Sequence, residues 1–375
     1  MNGRISEEEK YWVALNMVLG VGKTLFYRLV DRFQSARSVF RASLSELMEV
    51  EGIGRKTAEQ IRGFDLEARL EREWVLLDRL QAGVVTLNSP GYPALLRAIY
   101  DPPPVLYYQG TEPVGFPLAI AVVGTRTVSN YGKQVTHRLC SQLASRGVTL
   151  VSGMARGVDT LVHRAALENG MSTLAVFGCG LDYTYPPENR NLRSSIVQSG
   201  CVISEFPVST RPDRNNFPAR NRVISGLSLG TVVIEAGEKS GALITADFAL
   251  EQGREVFAVP GNINSPNSKG TNNLIRSGAK MVLGVDSILE ELPGEIRALL
   301  DHATVNPPAL PDDLSENEKK LLSVMTASET PIDILIAQSG LSAAEVSATL
   351  VELELRNLVR QTDGKKFINN HAEVS

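Results

Sequence analysis

Residues 147–180 read GVTLVSGMARGVDTLVHRAALENGMSTLAVFGCG, and this stretch decides the architecture. Thr149–Val151 and Thr173–Phe177 are short β-rich runs, and the residues between them are long enough for one helix. Two such runs joined by a helical crossover form a parallel βαβ unit, and their nearly unbroken apolar character means that both faces of each strand are covered. The alternation extends outward. Leu118–Val123 precedes the unit, and Cys201–Ser204, Thr231–Ile234, Glu255–Val259 and Lys280–Leu283 follow it. The fold class predicted for this region is α/β, a doubly wound and mostly parallel sheet. Residues 81–117 hold two further candidate strands, Val84–Leu87 and Val105–Tyr108, broken by Tyr92-Pro93 and by Asp101-Pro102-Pro103-Pro104, and they add an edge.

Smaller parts flank the sheet, as expected for 375 residues, because single cores usually stop growing at about 250. Residues 1–80 read as short helices around two similar turns, Leu19-Gly20-Val21-Gly22-Lys23 and Glu51-Gly52-Ile53-Gly54-Arg55-Lys56. Their spacing suggests an internal duplication resembling tandem helix-hairpin-helix motifs, in which glycines bring helix N-terminal amides close to phosphate. A small helical bundle that uses glycine merely to turn is the preferred reading of these helices. Gly22-Lys23-Thr24 looks like the end of a P-loop, but Met17 stands where the first glycine must be, so ATP binding is rejected. After the sheet domain (81–305) comes a proline-rich linker (306–314). Residues 315–375 then show a Ser315/Glu318 capping box, helices at Ile332–Gln338 and Ala343–Asn357, and two short strands around Asp363-Gly364, the outline of a winged helix.

The net charge of −4 rules out a globally basic nucleic-acid coat. Residues 312–375 hold six bases against eleven acids, and the rest is nearly balanced, so any phosphate-binding surface is a local patch. An acidic start and the lack of a long apolar run point to a cytoplasmic protein with no membrane partner. Cys140, Cys179 and Cys201 have neither zinc nor disulfide spacing and read as buried thiols.

In an open parallel sheet, ligands bind beyond the carboxyl ends of the strands. The loops at those ends include Gly124-Thr125-Arg126, Ser152-Gly153 with Arg156, Gly178-Cys179-Gly180, Glu235 through Lys239-Ser240-Gly241, and Pro260-Gly261-Asn262. Small residues there let backbone amides and helix dipoles face an anion, and Arg126 and Arg156 add mobile charge. No G-x-G-x-x-G opens the first turn, so NAD and FAD are disfavoured and no cofactor is expected. The run TRPDRNNFPARNR (210–222) sets Arg211, Arg214, Arg220 and Arg222, with Asn221, around Phe217. Bases interleaved with an aromatic suit single-stranded nucleic acid, where cations hold phosphates and a ring stacks on a base. The alternative is that Phe217 packs inward and the arginines pair with groups such as Glu205. Asp159 and His163, one helical turn apart, have no third ligand in view and read as a structural pair; no catalytic motif is found.

These motifs, in this order, resemble the DNA processing protein A (DprA/Smf) family over about residues 90–285. They are Tyr92-Pro93, VGTR at 123–126, Tyr131-Gly132, SGMARGVD at 152–159 with His163, Tyr185-Pro186, Ser204-Glu205, FPARNR at 217–222, SGALIT at 240–245 and Pro260-Gly261. The resemblance implies an extended Rossmann fold, a homodimer through that domain, single-stranded DNA as ligand, and delivery of incoming strands to the RecA recombinase during natural transformation. It assigns strand contacts to Arg126 and Phe217, with Arg214 in the basic position before the ring. Val162 departs from the alanine usual before the histidine, which bears on packing. Two other readings stand beside this one: a lysine-decarboxylase-like phosphoribohydrolase, whose PGGxGTxxE loop is not matched at 235–241, and a duplex-DNA regulator acting through the winged helix. The acidic winged helix is expected to bind protein or regulate the chain itself.

Overall fold

A computed structural model describes residues 6–302, 313–325, 329–356, 358–362 and 364–369. The chain divides into two units, one reaching to residue 304 and one starting at 305. The proline-rich linker, apart from its last two residues, lies outside the described residues, as do Asp363 and His371.

Among the described residues the first unit opens with six helices: α1 (Glu7–Asn16), α2 (Lys23–Phe33), α3 (Ala36–Arg41), α4 (Leu44–Met48), α5 (Arg55–Arg62) and α6 (Leu66–Leu80). Capping boxes start α1 (Ser6 with Glu9) and α4 (Ser43 with Glu46), each satisfying two amides that the helix itself leaves bare. Gly20 and Gly52 both have φ of +89°, which favours glycine. Their packing is reciprocal. A methyl group on Gly20 would lie 3.4 Å from Thr57 Oγ1 on α5, and one on Gly52 would lie 3.0 Å from Leu25 Cδ2 on α2. Residue 20 thus meets 57 as 52 meets 25, the arrangement expected of a duplicated hairpin.

Nine strands follow: β1 (Ala82–Thr86), β2 (Val105–Gly110), β3 (Ala119–Val123), β4 (Thr149–Ser152), β5 (Thr173–Phe177), β6 (Cys201–Ser204), β7 (Gly230–Val233), β8 (Glu255–Ala258) and β9 (Lys280–Met281). They form one sheet in the order β1-β2-β6-β5-β4-β3-β7-β8-β9. From β6 to β9 every pairing is parallel, whereas β2 runs antiparallel to β6 and β1 antiparallel to β2, so residues 81–117 do build an edge. The helices are α7 (Ala94–Arg97), α8 (Asn130–Ser145), α9 (Val158–Glu168), α10 (Arg190–Ser199), α11 (Asn216–Gly226), α12 (Gly241–Glu251), α13 (Lys269–Arg276), α14 (Asp286–Leu289) and α15 (Gly294–His302).

Strand alternation sorts side chains between two faces. Ala119, Ala121 and Val123 pack with Ile224 of α11 and Ala246 of α12, while Ile120 and Val122 pack with Leu139 of α8 and Val162 of α9. Farther along, Tyr107 of β2 and Ala175 and Phe177 of β5 share a core with Trp12, Phe26, Leu29 and Leu77. The N-terminal helices therefore cover part of the sheet directly, in a single continuous core. The bond from Lys23 to Asp101 and the Tyr27 hydroxyl donating to Pro102 O (2.8 Å) tie α2 to the loop before β2.

The second unit holds α16 (Glu316–Val324), α17 (Ile332–Ser339) and α18 (Ala343–Leu355), with β10 (Thr330–Pro331), β11 (Val359–Thr362) and β12 (Lys366–Asn369) in the order β10-β12-β11. Leu321, Leu322, Leu335, Val346, Leu350, Leu353 and Phe367 form its own core. This is a winged helix.

Candidate nucleic-acid interface

The loops after β3, β4 and β5 meet at one rim because glycine allows them to. A methyl on Gly124 would lie 2.5 Å from Val158 Cγ2, and one on Gly178 would lie 2.8 Å from Phe217 Cδ1. The Phe217 ring thus rests on the β5 loop, half-buried, and pairs with Tyr185 at 5.3 Å between centroids and 33° between planes. Tyr185 is 40% exposed. Two adjacent rings, one open to solvent, make a platform on which an unpaired base can stack.

Arg126, in the loop after β3, and Arg214, three residues before Phe217, are exposed, and neither side chain has a hydrogen-bond or ion-pair partner among the described residues. Arg156 is exposed too, but it is bound bidentately by Glu188, with one of the two contacts at 3.2 Å. Lys239 and Gly241 are exposed beside the start of α12. Ser240 caps that helix by accepting from Ala242 N (3.3 Å), and Asn221 donates to Gly241 O (3.2 Å).

Four of the expected contact residues are buried. Arg220 is 5% exposed, and its guanidinium donates to Gly153 O (2.7 Å) and Val176 O. Burial pulls its pKa down to about 10, opposed mainly by Asp159, so it stays charged at neutral pH. Arg222 is 1% exposed and bonds Glu205 at 2.6 Å, with Asp101 at 3.3 Å. Arg220 ties the loop after β4 to the end of β5, Arg222 ties the residue after β6 to the loop before β2, and for Arg222 the pairing with Glu205 prevails. Ser152 is fully buried and donates to Val122 O (2.7 Å), and Gly153 is buried against the Arg220 guanidinium.

The expected crevice of free amides is also largely closed. Gly153 N and Ala155 N donate to Asp159 (3.2 Å each), Thr125 N to Glu235 O (2.7 Å), and Gly261 N to Asn272 (3.1 Å). The buried Glu235 carboxylate accepts from Ser129 N (3.0 Å) and Ser129 Oγ (2.5 Å). Asp159 and His163 do not bond each other. Asp159 caps its own loop, its pKa raised by burial, while His163 Nδ1 meets Thr173 Oγ1 at 2.8 Å and burial lowers its pKa to about 3, which leaves it neutral. Cys140, Cys179 and Cys201 are buried, and burial raises each thiol's pKa.

Tyr185 was quoted as a motif residue but not as a contact. Its ring meets Phe217 only because the fold brings the segment after β5 against α11.

A family model described as DNA recombination-mediator protein A matches residues 83–293, one for the DprA winged helix domain matches 305–365, and one for the helix-hairpin-helix motif matches 35–64. Protein Smf of Synechocystis is 36% identical over 96% of this chain and 99% of its own length, and Protein Smf of Escherichia coli is 38% identical over 85% of each. Among solved structures, DNA processing protein A from Streptococcus pneumoniae superposes with a TM-score of 0.67 at 33% identity, covering 76% of this chain and 98% of that one. A structure of DNA processing protein A from Helicobacter pylori, described by its single-stranded DNA binding mode, gives 0.52 at 32% identity, covering 60% and 97%. With the motif order, the sheet and the winged helix all in agreement, the chain belongs to the DNA recombination-mediator protein A (DprA/Smf) family.

Proposed function

We propose that the chain is a noncatalytic single-stranded DNA-binding recombination mediator, which shields incoming strands and loads the RecA recombinase onto them during natural transformation, working as a homodimer through its sheet domain. The observation that supports this reading is the Phe217–Tyr185 ring pair, with Arg214 exposed three residues before Phe217 and Arg126 exposed in the loop after β3, neither arginine partnered among the described residues. Cations take the phosphates while the rings take a base, and neither reads sequence. On this reading the exposed Arg156, Lys239 and Gly241, with Ser240 and Asn221, are further contacts, and the buried Arg220, Arg222, Ser152 and Gly153 act by holding loops in place. Three buried titratable groups of these loops support binding over catalysis, because Asp159 and Glu235 are spent on loop amides and a serine, and His163 is sealed in. The Helicobacter pylori relative's described ligand agrees with this assignment.

Fluorescence anisotropy with oligo-dT and with duplex of equal length, repeated across salt concentrations, tests the reading. Preference for oligo-dT at every salt concentration, with no free base released from AMP, is the expected outcome. Preference for duplex, or release of adenine, overturns it.

A further inference from the structure

The third helix of a winged helix ordinarily enters the DNA major groove and presents donors there. Here that helix, α18, carries no lysine or arginine between Ala343 and Leu355. Its buried side, Val346, Thr349, Leu350 and Leu353, faces the core. On the opposite side Ala344, Ala348, Val351 and Leu355 are all exposed, Val351 by 57% and Leu355 by 80%. These four stand at intervals of four, three and four residues, which on a 3.6-residue helix is one straight seam of the kind used in coiled coils. Glu345 and Glu352 border the seam on one side and Glu354 on the other. Arg356, just past the helix, is already paired with Asp313 and with Glu318 (3.1 Å).

We propose that this seam is a docking surface for an amphipathic helix of a partner protein, one with an apolar stripe flanked by lysine or arginine. The charges select among possible occupants. Phosphates and an anionic bilayer are repelled by the three carboxylates, and a second copy of α18 would set Glu352 and Glu354 against their own counterparts. A basic helix buries the seam and neutralises both borders, with the short alanines at one end leaving room for larger residues of the partner. The inference is independent of the single-strand reading, because the residues it uses lie in the second unit.

The test uses the full chain and a labelled designed peptide, helical, with leucines at the seam spacing and lysines at the flanks, beside a twin with glutamates at the flanks. The lysine peptide should bind at least about tenfold more tightly than its twin, and Val351→Asp with Leu355→Asp should remove about that factor. Glu352→Lys with Glu354→Lys should reverse the order of the two peptides, a change that misfolding does not produce. All four positions face solvent, and Glu354 gives up one exposed bond from Gln361 N (3.2 Å), so the melting temperature should change only slightly. Equal binding of the twins, or binding indifferent to the aspartate pair, overturns the proposal. So does self-association of the chain, or binding to phosphatidylglycerol vesicles or duplex DNA, that the aspartate pair abolishes while the lysine peptide stays unbound.

Discussion

Arg126 and Arg220 lie close enough to influence each other electrostatically, yet truncating them should have opposite consequences. Arg126 is exposed and without a hydrogen-bond or ion-pair partner among the described residues, so Arg126→Ala should leave the melting temperature unchanged. If it holds one phosphate, its loss costs one charge-assisted hydrogen bond, about 1.5–3 kcal/mol, or roughly tenfold or more in affinity at low salt. The slope of log affinity against log salt should fall by about 0.7, the single-strand value for one released counterion. Arg220→Ala instead strips donors from Gly153 O and Val176 O and removes the charge that offsets Asp159 in a fully buried site. Breaking a buried charged network in this way costs roughly 3–5 kcal/mol, a drop on the order of 5–10 °C in melting temperature. Anisotropy titrations at four salt concentrations, with thermal melts of the same preparations, read both effects. An Arg220→Ala protein that melts normally but has lost oligo-dT, beside an Arg126→Ala protein that binds with an unaltered salt slope, would refute the division into rim and support.

Phe217→Ala and Tyr185→Ala should each weaken oligo-dT binding by roughly 1–3 kcal/mol with the salt slope intact, since a stacked base releases no counterion; affinity held constant while the slope changes would contradict the platform. Glu73, on α6, is 3% exposed and accepts from Val208 N (2.8 Å), and burial, with Asp182 adding to it, raises its pKa to about 7. The folded chain therefore holds this proton more tightly than the unfolded one, so stability should fall as pH rises from about 4.5 to 7, by about 3 kcal/mol from this group. Glu73→Gln keeps an acceptor for Val208 and should melt higher than the parent at pH 8 with little difference at pH 5; parallel melting curves at both pH values would dispose of this account.

The central strands were legible because they are buried on both sides. Ala119–Val123 and Thr173–Phe177 are fully buried, and each is a nearly unbroken apolar run in the sequence. The neighbour of each strand was not legible. Nothing local in Val105–Gly110 announces that it lies antiparallel to β6, because that choice belongs to the packing of α10 and the N-terminal helices. At the site, the arginine-rich run was legible in the sequence, but the burial of Arg220 and Arg222 was not. An arginine reads as surface by default, and only the carbonyls of Gly153 and Val176, far away in the chain, reveal that Arg220 is buried. Glycines read as openings for phosphate proved in several loops to admit other parts of the protein: Val158 at Gly124, Arg220 at Gly153 and Phe217 at Gly178.

The core shared by the first six helices and the sheet has a practical meaning for anyone cutting the gene. A fragment beginning at residue 81 would leave Tyr107, Ala175 and Phe177 bare on one side and open the Arg222–Glu205–Asp101 cluster to water where Lys23 now stands. Deletion of these helices therefore reports on the integrity of the sheet before it reports on any separate duty of the hairpins. Single substitutions at Arg55 and Lys56, which project into solvent, are the cleaner way to question them.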